Sequence, residues 1–480
     1  MTESIKTTRK GPPNRMNDLA YKDWMKFQKS FFRYQGDSHL VQEFILFFTK
    51  SVWDDGKASK SIVGGYGLDN LSVGKRNITF IGKYNSLVEV IKQLKDCENR
   101  NEKFDFAFID LREIIRTTED VETFLSETGQ HFLITLRSIM VDNKYCCLIL
   151  RDKPEDGKSV FPISWSIALS SRNHFKLRDE KIALVGPDSI FYCIILQATD
   201  DGRPATVISP MELCCSKLDK NIMTWIIPKP PRRKKNEILH PAKFPETLIS
   251  EFIKIFSKPG DTVFDPMVGT GSTVLAAIQE NRDALGMDLN EEFIAISKHR
   301  VEEYQSPMLF PDMENKNQAE LFVGDANRIN EYKLLEKKQF DYVITSPPYW
   351  SMLGNIGSEY QEQRRKKNLM LTYSDMKEDI GNIASYDNFL HTLSRIYTNV
   401  GNKMRKGSVL TVVLKNVKRE HTLYTLPWDL VAQLCNTQGL FIYRGTTLWC
   451  QDDISLKPFA VGIHWVSNIL HHYCIHLEKR

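Results

Sequence analysis

The chain has 480 residues, of which 42% are hydrophobic and 26% charged, and its formal net charge is +4. Because a single core rarely grows beyond about 250 to 300 residues, this length predicts two or three domains. No stretch approaches the roughly 20 apolar residues that cross a bilayer, so we expect a soluble protein. The start, MTESIKTTRKGPPNR, has no apolar core of a secretory signal. We therefore expect a cytoplasmic location.

The nine cysteines show no metal-ligand spacing, and their number is odd. This favours reduced thiols over disulfides and predicts no metal site. The net charge is too small to indicate a nucleic-acid binder by itself, so local basic clusters must carry that argument. Two such runs exist, KPPRRKK at 229–235 and RRKK at 364–367. Taken alone, each is usually a solvated linker.

Strand-like apolar runs alternate with amphipathic stretches along the chain, which predicts an α/β fold with a mainly parallel sheet. Shifts in composition divide the chain into four parts. Residues 1–40 are polar and are expected to be disordered or extended. Residues 41–205 form an α/β half, residues 206–236 a basic linker, and residues 237–480 a second α/β domain with a polar insertion at 351–385.

The two α/β parts show a faint internal repeat. ITFIGKYNSL and FDFAFIDLRE in the first have the layout of LFVGDANRI and FDYVITSPPY in the second, and FPISW and FYCIIL parallel TLPW and HYCIHL. Because these pairs follow in the same order, we interpret the first part as a degenerate copy of the second. The copy has Asp110 and Arg112 where the second part has a Ser-Pro-Pro-Tyr segment. We expect Asp110 to be a surface carboxylate at a strand end.

A glycine-containing loop follows a predicted strand at 262–264 and precedes a predicted helix at 272–279. Glycines there let the backbone approach a ligand, and the helix amides point into the crevice beyond the strand ends. A second strand ends in Asp288, which is placed to accept hydrogen bonds from ribose hydroxyls. This loop contains neither GK[ST] nor GxGxxG, so the pattern favours a ligand with an adenosine but no pyrophosphate. A purely structural turn is the alternative.

The motifs FDPMVGTGST, GMDLN, VGDA and TSPPYW resemble, in this order, the motifs of the amino-methylating DNA methyltransferases. HPAKFPETLISEFIKIFSKPGD, before the first of them, resembles a further motif of that family, and HHYCIHLEK resembles its closing strand. The resemblance covers most of residues 237–480. It implies a Rossmann-like, S-adenosylmethionine-dependent methyltransferase fold with a degenerate N-terminal α/β copy. It also implies a methyl transfer to cytosine N4 or adenine N6 of DNA.

The resemblance agrees with the chemistry of the Ser-Pro-Pro-Tyr segment. An exocyclic amino group is a poor nucleophile, and two fixed hydrogen-bond acceptors restore electron density on its nitrogen. We expect the Ser346 hydroxyl and the Pro347 carbonyl to be these acceptors, because Pro347 and Pro348 have no N–H to compete and stiffen the loop. Tyr349 and Trp350 are expected to stack on a base flipped out of the duplex. No Pro-Cys dipeptide occurs, which disfavours ring-carbon methylation.

The family pattern also assigns cofactor contacts. It implies that Asp265, Pro266, Gly269 and Gly271 hold the methionine part and the backbone of S-adenosylmethionine, Asp288 the ribose and Asp325 the adenine. Lys243 and Phe244 would close the methionine end, or simply begin a helix. The hydroxyl of Thr273 is expected to face its helix instead of the ligand.

TSPPYW resembles the cytosine-N4 branch more than the adenine branch, which usually carries Asp or Asn at the position of Ser346. The implied partner is double-stranded DNA. Expected phosphate contacts are Arg232, Arg233, Lys234, Lys235, Arg364, Arg365, Lys366 and Lys367. RNA or protein acceptors, a non-catalytic DNA-binding module, a cognate restriction endonuclease as a further partner, and a monomeric or dimeric state all stay open at this point.

Overall fold

The computed structural model describes most of the chain, namely residues 16–65, 71–203, 206–228, 245–306, 317–350, 378–419, 421–456 and 464–480. Two large sheets dominate it, one in each half of the chain. None of the helices in these ranges is long and apolar enough to cross a membrane.

The N-terminal sheet has seven strands in the order β3-β2-β4-β5-β7-β6-β1. Its strands are β1 Phe31–Arg33, β2 Lys60–Gly64, β3 Asn77–Ile81, β4 Phe104–Asp110, β5 Met140–Arg151, β6 Lys176–Val185 and β7 Ser189–Gln197. Its helices are α1 Tyr21–Lys26, α2 Asp37–Phe48, α3 Leu87–Asn99, α4 Thr118–Leu125, α5 Glu127–Ser138 and α6 Ile163–Ser171. Side-chain capping defines the start of α4, where Thr117 and Asp120 form a capping box. This box satisfies amides that the first turn of a helix leaves unpaired.

The C-terminal sheet has eight strands in the order β11-β10-β9-β12-β13-β17-β16-β8. Its strands are β8 Trp225–Ile226, β9 Thr262–Asp265, β10 Asp283–Asp288, β11 Ala319–Val323, β12 Phe340–Thr345, β13 Met404–Leu414, β16 Phe441–Cys450 and β17 His471–Lys479. A separate hairpin pairs β14 Val417–Arg419 with β15 Thr422–Tyr424. The helices are α7 Glu246–Phe256, α8 Ser272–Gln279, α9 Glu291–Gln305, α10 Tyr386–Gly401 and α11 Leu426–Leu434. The central strands are buried on both faces, which explains their continuous apolar runs.

The two sheets share not only strand order but also their irregularities. The pairing of β4 with β5 shifts register between Phe104 and Phe106, and that of β12 with β13 shifts between Phe340 and Tyr342. A second shift lies between Leu177 and Asp179 on β6 and between Tyr443 and Gly445 on β16. The residues skipped there are Arg178 and Arg444. The seven N-terminal strands therefore repeat the architecture of seven of the eight C-terminal strands, and β11 at the edge of the C-terminal sheet has no counterpart.

The repeat differs from the sequence prediction at one strand. ITFIG was matched to LFVGD, the segment of β11. In the structure it forms β3, which pairs with β2 as β10 pairs with β9. Strand composition alone had suggested β11, because both segments are short apolar runs followed by a turn; the pairing partner decides the position.

The N-terminal segment also differs from its prediction. Residues 1–40 were expected to be disordered or extended, but from Met16 onward the segment contains α1, β1 and the start of α2. Trp24, Phe27 and Phe31 are buried there. Polar residues surround these aromatic residues in the sequence, so the average composition of the segment is polar although its aromatic side chains are packed.

The predicted linker at 206–236 contains structure too. Strand β8 adds to the edge of the C-terminal sheet by pairing with β16. Cys215 forms a bridge to Tyr443 slightly earlier in the chain. This part of the connection is therefore integrated into the C-terminal half, whereas residues 229–236 lie outside the described ranges.

Four consecutive charged residues on β6, Arg178 to Lys181, are buried, with 1% to 3% of their surface exposed. Such burial requires partners, and three of the four find them in the C-terminal half. Arg178 donates to the carbonyls of His421 and Trp465, Asp179 accepts from Lys418, and Glu180 accepts from Asn416 and His471. The two halves are thus joined by buried polar contacts as well as by a continuous apolar core.

Candidate active site

The glycine loop after β9 has the geometry that its sequence predicts. Gly269 and Gly271 adopt φ values of +53° and +83°, which side chains other than hydrogen rarely tolerate. A Cβ on Gly271 would lie 2.8 Å from the Ser297 Oγ of helix α9. Helix α8 then starts at Ser272 and ends at Gln279, as predicted. The loop can therefore pass close to α9 and still present backbone to the crevice.

Asp265, at the end of β9, is fully buried beneath this loop. Its carboxylate accepts hydrogen bonds from Thr273 Oγ1 at 2.6 Å and from the Met267 amide at 3.0 Å. Burial raises the pKa of Asp265 to about 6, although these hydrogen bonds favour the charged form. Asp265 does not line the cavity described below, so its observed contacts shape the loop. The Thr273 hydroxyl was expected to face its own helix, and it donates to Asp265 at the end of β9.

Asp288 ends β10 and faces the loop. Its two carboxylate oxygens accept from the Gly269 amide at 2.8 Å and the Asn290 amide at 2.9 Å. Burial raises the pKa of Asp288, while the two amides oppose that shift. Each oxygen keeps a lone pair for a further donor. Asp288 can therefore brace the glycine loop and accept from a ligand hydroxyl at once.

An open cavity lies beyond the carboxyl ends of β9, β10 and β12, with about 880 Å³ of empty space that includes open solvent at its mouth. This is where ligands bind in open α/β sheets. Six residues predicted for the site line it: Pro266, Gly269, Asp288, Asp325, Ser346 and Pro348. Gly271, Pro347 and Tyr349 stand beside it in the chain without lining it. The structure thus brings the predicted cofactor loop and the predicted target loop to one cavity.

Several lining residues were not predicted. Asn290 caps helix α9 and Phe293 lies in its first turn, whereas Glu378, Asp379 and Ile380 belong to the polar insertion predicted at 351–385. Asn290 could have been suspected, because it ends the GMDLN motif. Glu378 and Asp379 lie within that insertion, which has little periodicity, so no local signal placed them at this cavity. With Asp288 and Asp325 they give the cavity an acidic lining that suits a cationic ligand.

Ser346 lies at the point where β12 stops. Its Oγ donates to the carbonyl of Val413 on β13 at 3.2 Å. Because its single proton is directed to that carbonyl, the Ser346 oxygen offers its lone pairs to an incoming donor. This orientation suits the acceptor function predicted for it.

Tyr349 is 7% exposed, and its ring centroid lies 6.1 Å from that of His472. Trp350 is 3% exposed, and its Nε1 donates to the Ile383 carbonyl at 2.9 Å. Trp350 packs edge-on against Tyr386 and Tyr424. Its ring is thus committed to packing behind the loop, whereas it was expected to stack on a base.

Some predicted residues lie outside the described ranges. These are Lys243, Phe244, and the two basic runs Arg232, Arg233, Lys234, Lys235 and Arg364, Arg365, Lys366, Lys367.

The equivalent edge of the N-terminal sheet is built differently. Asp110 takes the position of Ser346 and Arg112 that of Pro348. Asp110 is 9% exposed and forms an ion pair with Arg112 at 2.6 Å, so it is not the surface carboxylate we expected. Arg112 also pairs with Asp37, and its guanidinium lies 4.4 Å from the centre of the Phe191 ring. A self-contained ion cluster therefore occupies this edge.

The C-terminal sheet defines the class of the fold. Five parallel strands are followed by β17, which runs antiparallel between β13 and β16. This is the Rossmann-like arrangement of S-adenosylmethionine-dependent methyltransferases. The family model of the N6/N4 methyltransferases, described as DNA methylase, matches residues 14–299, more than half of the chain. The chain belongs to this DNA methylase family.

Individual relatives match shorter segments. The type II methyltransferase M.ScaI of Streptomyces caespitosus is 30% identical over 149 residues, which are 29% of this chain and 48% of that protein. The orphan methyltransferase M.BamHII of Bacillus amyloliquefaciens is 36% identical over 83 residues, 17% of this chain and 31% of that protein. The chain thus spans less than half of the length of these relatives. The solved structure of TrmN from Thermus thermophilus is 11% identical, with 82% of this chain and 78% of that chain covered and a TM-score of 0.30.

Proposed function

We propose that the protein transfers a methyl group from S-adenosylmethionine to the N4 amino group of a cytosine flipped out of duplex DNA. The observation that supports this most directly is that Ser346 and Pro348 share one cavity with Gly269, Asp288 and Asp325. A target amino group and a nucleoside-containing cofactor can therefore meet at one edge of the sheet.

The cavity residues fit the cofactor. The acidic lining complements the sulfonium and ammonium charges, and Asp288 keeps lone pairs for ribose hydroxyls. Asp325 lies one strand further along, after β11, where its carboxylate can accept from the adenine amino group. When bound, S-adenosylmethionine supplies an electrophilic methyl group.

Ser346 and the Pro347 carbonyl act on the target. The two oxygens accept hydrogen bonds from the two N–H groups of the amino group and so leave its nitrogen more nucleophilic. The Ser346 proton stays with the Val413 carbonyl throughout. Because two prolines restrict the backbone directly after β12, little reorganisation of the acceptors should accompany the reaction.

The duplex must release its base, which costs a few kcal/mol that stacking partly offsets. We propose that the basic runs at 229–235 and 364–367 contact phosphates, and that the N-terminal half is a non-methylating copy that helps to hold the duplex. The ion cluster around Asp110 and Arg112 supports this, since it replaces the acceptor pair of the other half.

The test incubates the protein with tritiated S-adenosylmethionine and mixed-sequence duplex DNA, followed by digestion to nucleosides. We expect label on N4-methylcytosine, and a rate loss of about 100-fold in Ser346→Ala because one preorganised acceptor is gone. Ser408→Ala is the matched control. Ser408 donates to the Phe340 carbonyl at the other end of the same strand pair, and its loss should leave the rate unchanged.

The same digestion separates the alternatives. Adenine N6 transfer would use the same two acceptors, and label on N6-methyladenine would overturn the base assignment alone. DNA without label, together with intact cofactor binding, would reject DNA as the acceptor and direct the assay to RNA and protein.

A further inference from the structure

A second group of polar residues lies beside Tyr349. Lys415 directly follows β13, and its Nζ lies 5.2 Å from the centre of the Tyr349 ring. His472 is on the neighbouring β17, where Leu414 pairs with Tyr473. The His472 ring stacks on Trp449 with centroids 4.3 Å apart. Lys415, His472 and Tyr349 thus converge at the end of the sheet where β12 stops.

His472 is only 7% exposed, yet its Nδ1 has no hydrogen-bond partner among the described residues. A buried polar atom without a partner costs roughly 1 to 3 kcal/mol. Burial and the adjacent Lys415 hold the pKa of His472 well below its usual value, so the ring is neutral. A neutral ring with an open nitrogen can accept or donate one hydrogen bond.

In the N-terminal half, the residues equivalent to Lys415 and Tyr349 bind each other. The matching registers place Arg151 at the position of Lys415 and Glu113 at that of Tyr349. Arg151 donates to the Arg112 carbonyl at 2.6 Å and to Glu113 at 3.0 Å. In the C-terminal half an aromatic ring replaces the carboxylate. Among the described residues no ion pair or hydrogen bond is found for Lys415, and its Nζ lies over that ring.

Glu180 of the N-terminal half contacts the residues next to Lys415 and His472. Glu180 Oε1 of the N-terminal half accepts from Asn416 Nδ2 at 2.6 Å and lies 3.2 Å from His471 Nε2. Asn416 and His471 are the direct neighbours of Lys415 and His472. Because successive side chains of β17 alternate between faces, the contact of His471 with Glu180 leaves His472 on the opposite face of the strand, and the Lys415 ammonium lies over the Tyr349 ring.

We propose that Lys415 and His472 form a subsite that binds an acceptor oxygen of the flipped target nucleotide while its base stacks near Tyr349. This inference rests on the proposed function and adds a contact with the target nucleotide to it. The oxygen belongs either to the base, as a ring carbonyl such as that of cytosine, or to the phosphate on its 5′ side. Both are acceptors for an ammonium group, and adenine has no ring carbonyl.

The first experiment compares wild type, Lys415→Met and Lys406→Met in steady-state methylation of a duplex that carries the site found by sequencing DNA methylated by the wild type. Lys406 is exposed at the other end of β13, so it is a matched control. We expect Lys415→Met to lower kcat/KM for DNA at least 10-fold and to leave S-adenosylmethionine binding unchanged. Lys406→Met should match wild type.

A second duplex separates the two oxygens by carrying a neutral methylphosphonate 5′ to the target nucleotide. If the phosphate is bound, this duplex slows the wild type and adds nothing to Lys415→Met. If the base carbonyl is bound, the rate loss from the methylphosphonate and the rate loss from Lys415→Met multiply when they are combined. Equal rates for Lys415→Met and Lys406→Met on the unmodified duplex would overturn the proposal, and wild-type methylation there keeps the proposed function intact.

Lys415→Arg covers the case in which the methionine variant folds poorly. Burial lowers the pKa of Lys415 to about 8, so a required ammonium makes wild-type activity fall as pH rises through that value. An arginine stays charged and should move this fall to higher pH. An unchanged pH profile in Lys415→Arg would show that the charge is not used and would reject the subsite.

Discussion

Trp165 and Trp428 stack on each other with ring centroids 5.6 Å apart and an interplanar angle of 16°. Each is the third residue of its helix, α6 or α11, so they occupy equivalent positions in the two halves. Contact between equivalent residues is the mark of an isologous, two-fold interface. The N-terminal half therefore packs on the C-terminal half as a second subunit would, with both rings at the centre of the contact.

Loss of this pair should weaken the whole protein. Trp165 and Trp428 are 1% and 0% exposed, and truncation of a buried aromatic residue costs about 3 to 5 kcal/mol. We expect Trp165→Ala and Trp428→Ala each to lower the free energy of unfolding in urea by this amount. The double variant should lose less than the sum, because the two rings contact each other. Tyr21→Ala, at a side chain that is 58% exposed, is the control; additive losses would contradict the direct contact.

Gly271 offers a test of the cofactor loop with a matched glycine. Gly271 and Gly260 have φ values of +83° and +88°, but a Cβ meets Ser297 only at Gly271 and has open space at Gly260. Both alanine variants should lose about 1 kcal/mol of stability from backbone strain. We expect only Gly271→Ala to weaken S-adenosylmethionine binding, by at least 10-fold in calorimetric titration. Equal affinities of the two variants for S-adenosylmethionine would show that the loop at Gly271 does not contribute to cofactor binding.

The buried ion pair of Asp179 and Lys418 should contribute more to the free energy of unfolding than an exposed ion pair does. Their atoms are 2.6 Å apart, and the side chains are 1% and 11% exposed. Asp179→Asn leaves a buried ammonium without its anion, so we expect a loss of about 3 kcal/mol in urea unfolding. Asp156 and Lys158 form an exposed pair at 3.8 Å, and Asp156→Asn should cost under about 0.5 kcal/mol. Similar losses in both variants would mean that the Asp179 charge is not essential at this interface.

The sequence predicted the parts of the site that local chemistry determines. The helix at 272–279 was predicted to the residue, because two glycines and a strand end define its start. The positions of Asp288 and Ser346 at strand ends were equally local. The packing of Trp350 was not predictable in this way, since its partners Tyr386 and Tyr424 are distant in sequence. Aromatic residues beside a catalytic loop look alike in sequence whether they face a ligand or the core.

Long-range pairing explains most of the other differences. Asp110 is buried because Arg112 neutralises it, and the same guanidinium also pairs with Asp37, 73 residues before Asp110 in the chain. Glu378 and Asp379 line the cavity together with residues more than 50 positions earlier in the chain, such as Asp288 and Asp325. The faint repeat indicated two related halves, yet only the common register shifts show how each strand matches.

His476 provides a pH dependence whose sign can be worked out. Its Nδ1 lies 3.0 Å from Thr411 Oγ1, and its Nε2 lies 3.1 Å from Thr447 Oγ1. Tyr342 donates to Thr411, and Thr447 donates to the Met223 carbonyl. These directions are satisfied when His476 is neutral, with its proton on Nε2. Burial lowers the pKa of His476 to about 3.

An unfolded histidine titrates near pH 6.5. Below that pH the unfolded chain binds a proton that folded His476 rejects, so stability falls as the pH drops from 7 toward 3. Between pH 7 and 5 this histidine should cost about 2 kcal/mol. Asp265, with its pKa raised to about 6, acts in the opposite direction over this range. The measurement is therefore a difference: urea unfolding of wild type and His476→Gln at both pH values. Gln does not titrate, so wild type should lose about 2 kcal/mol more than the variant, and equal losses would show that the ring is protonated in the folded protein.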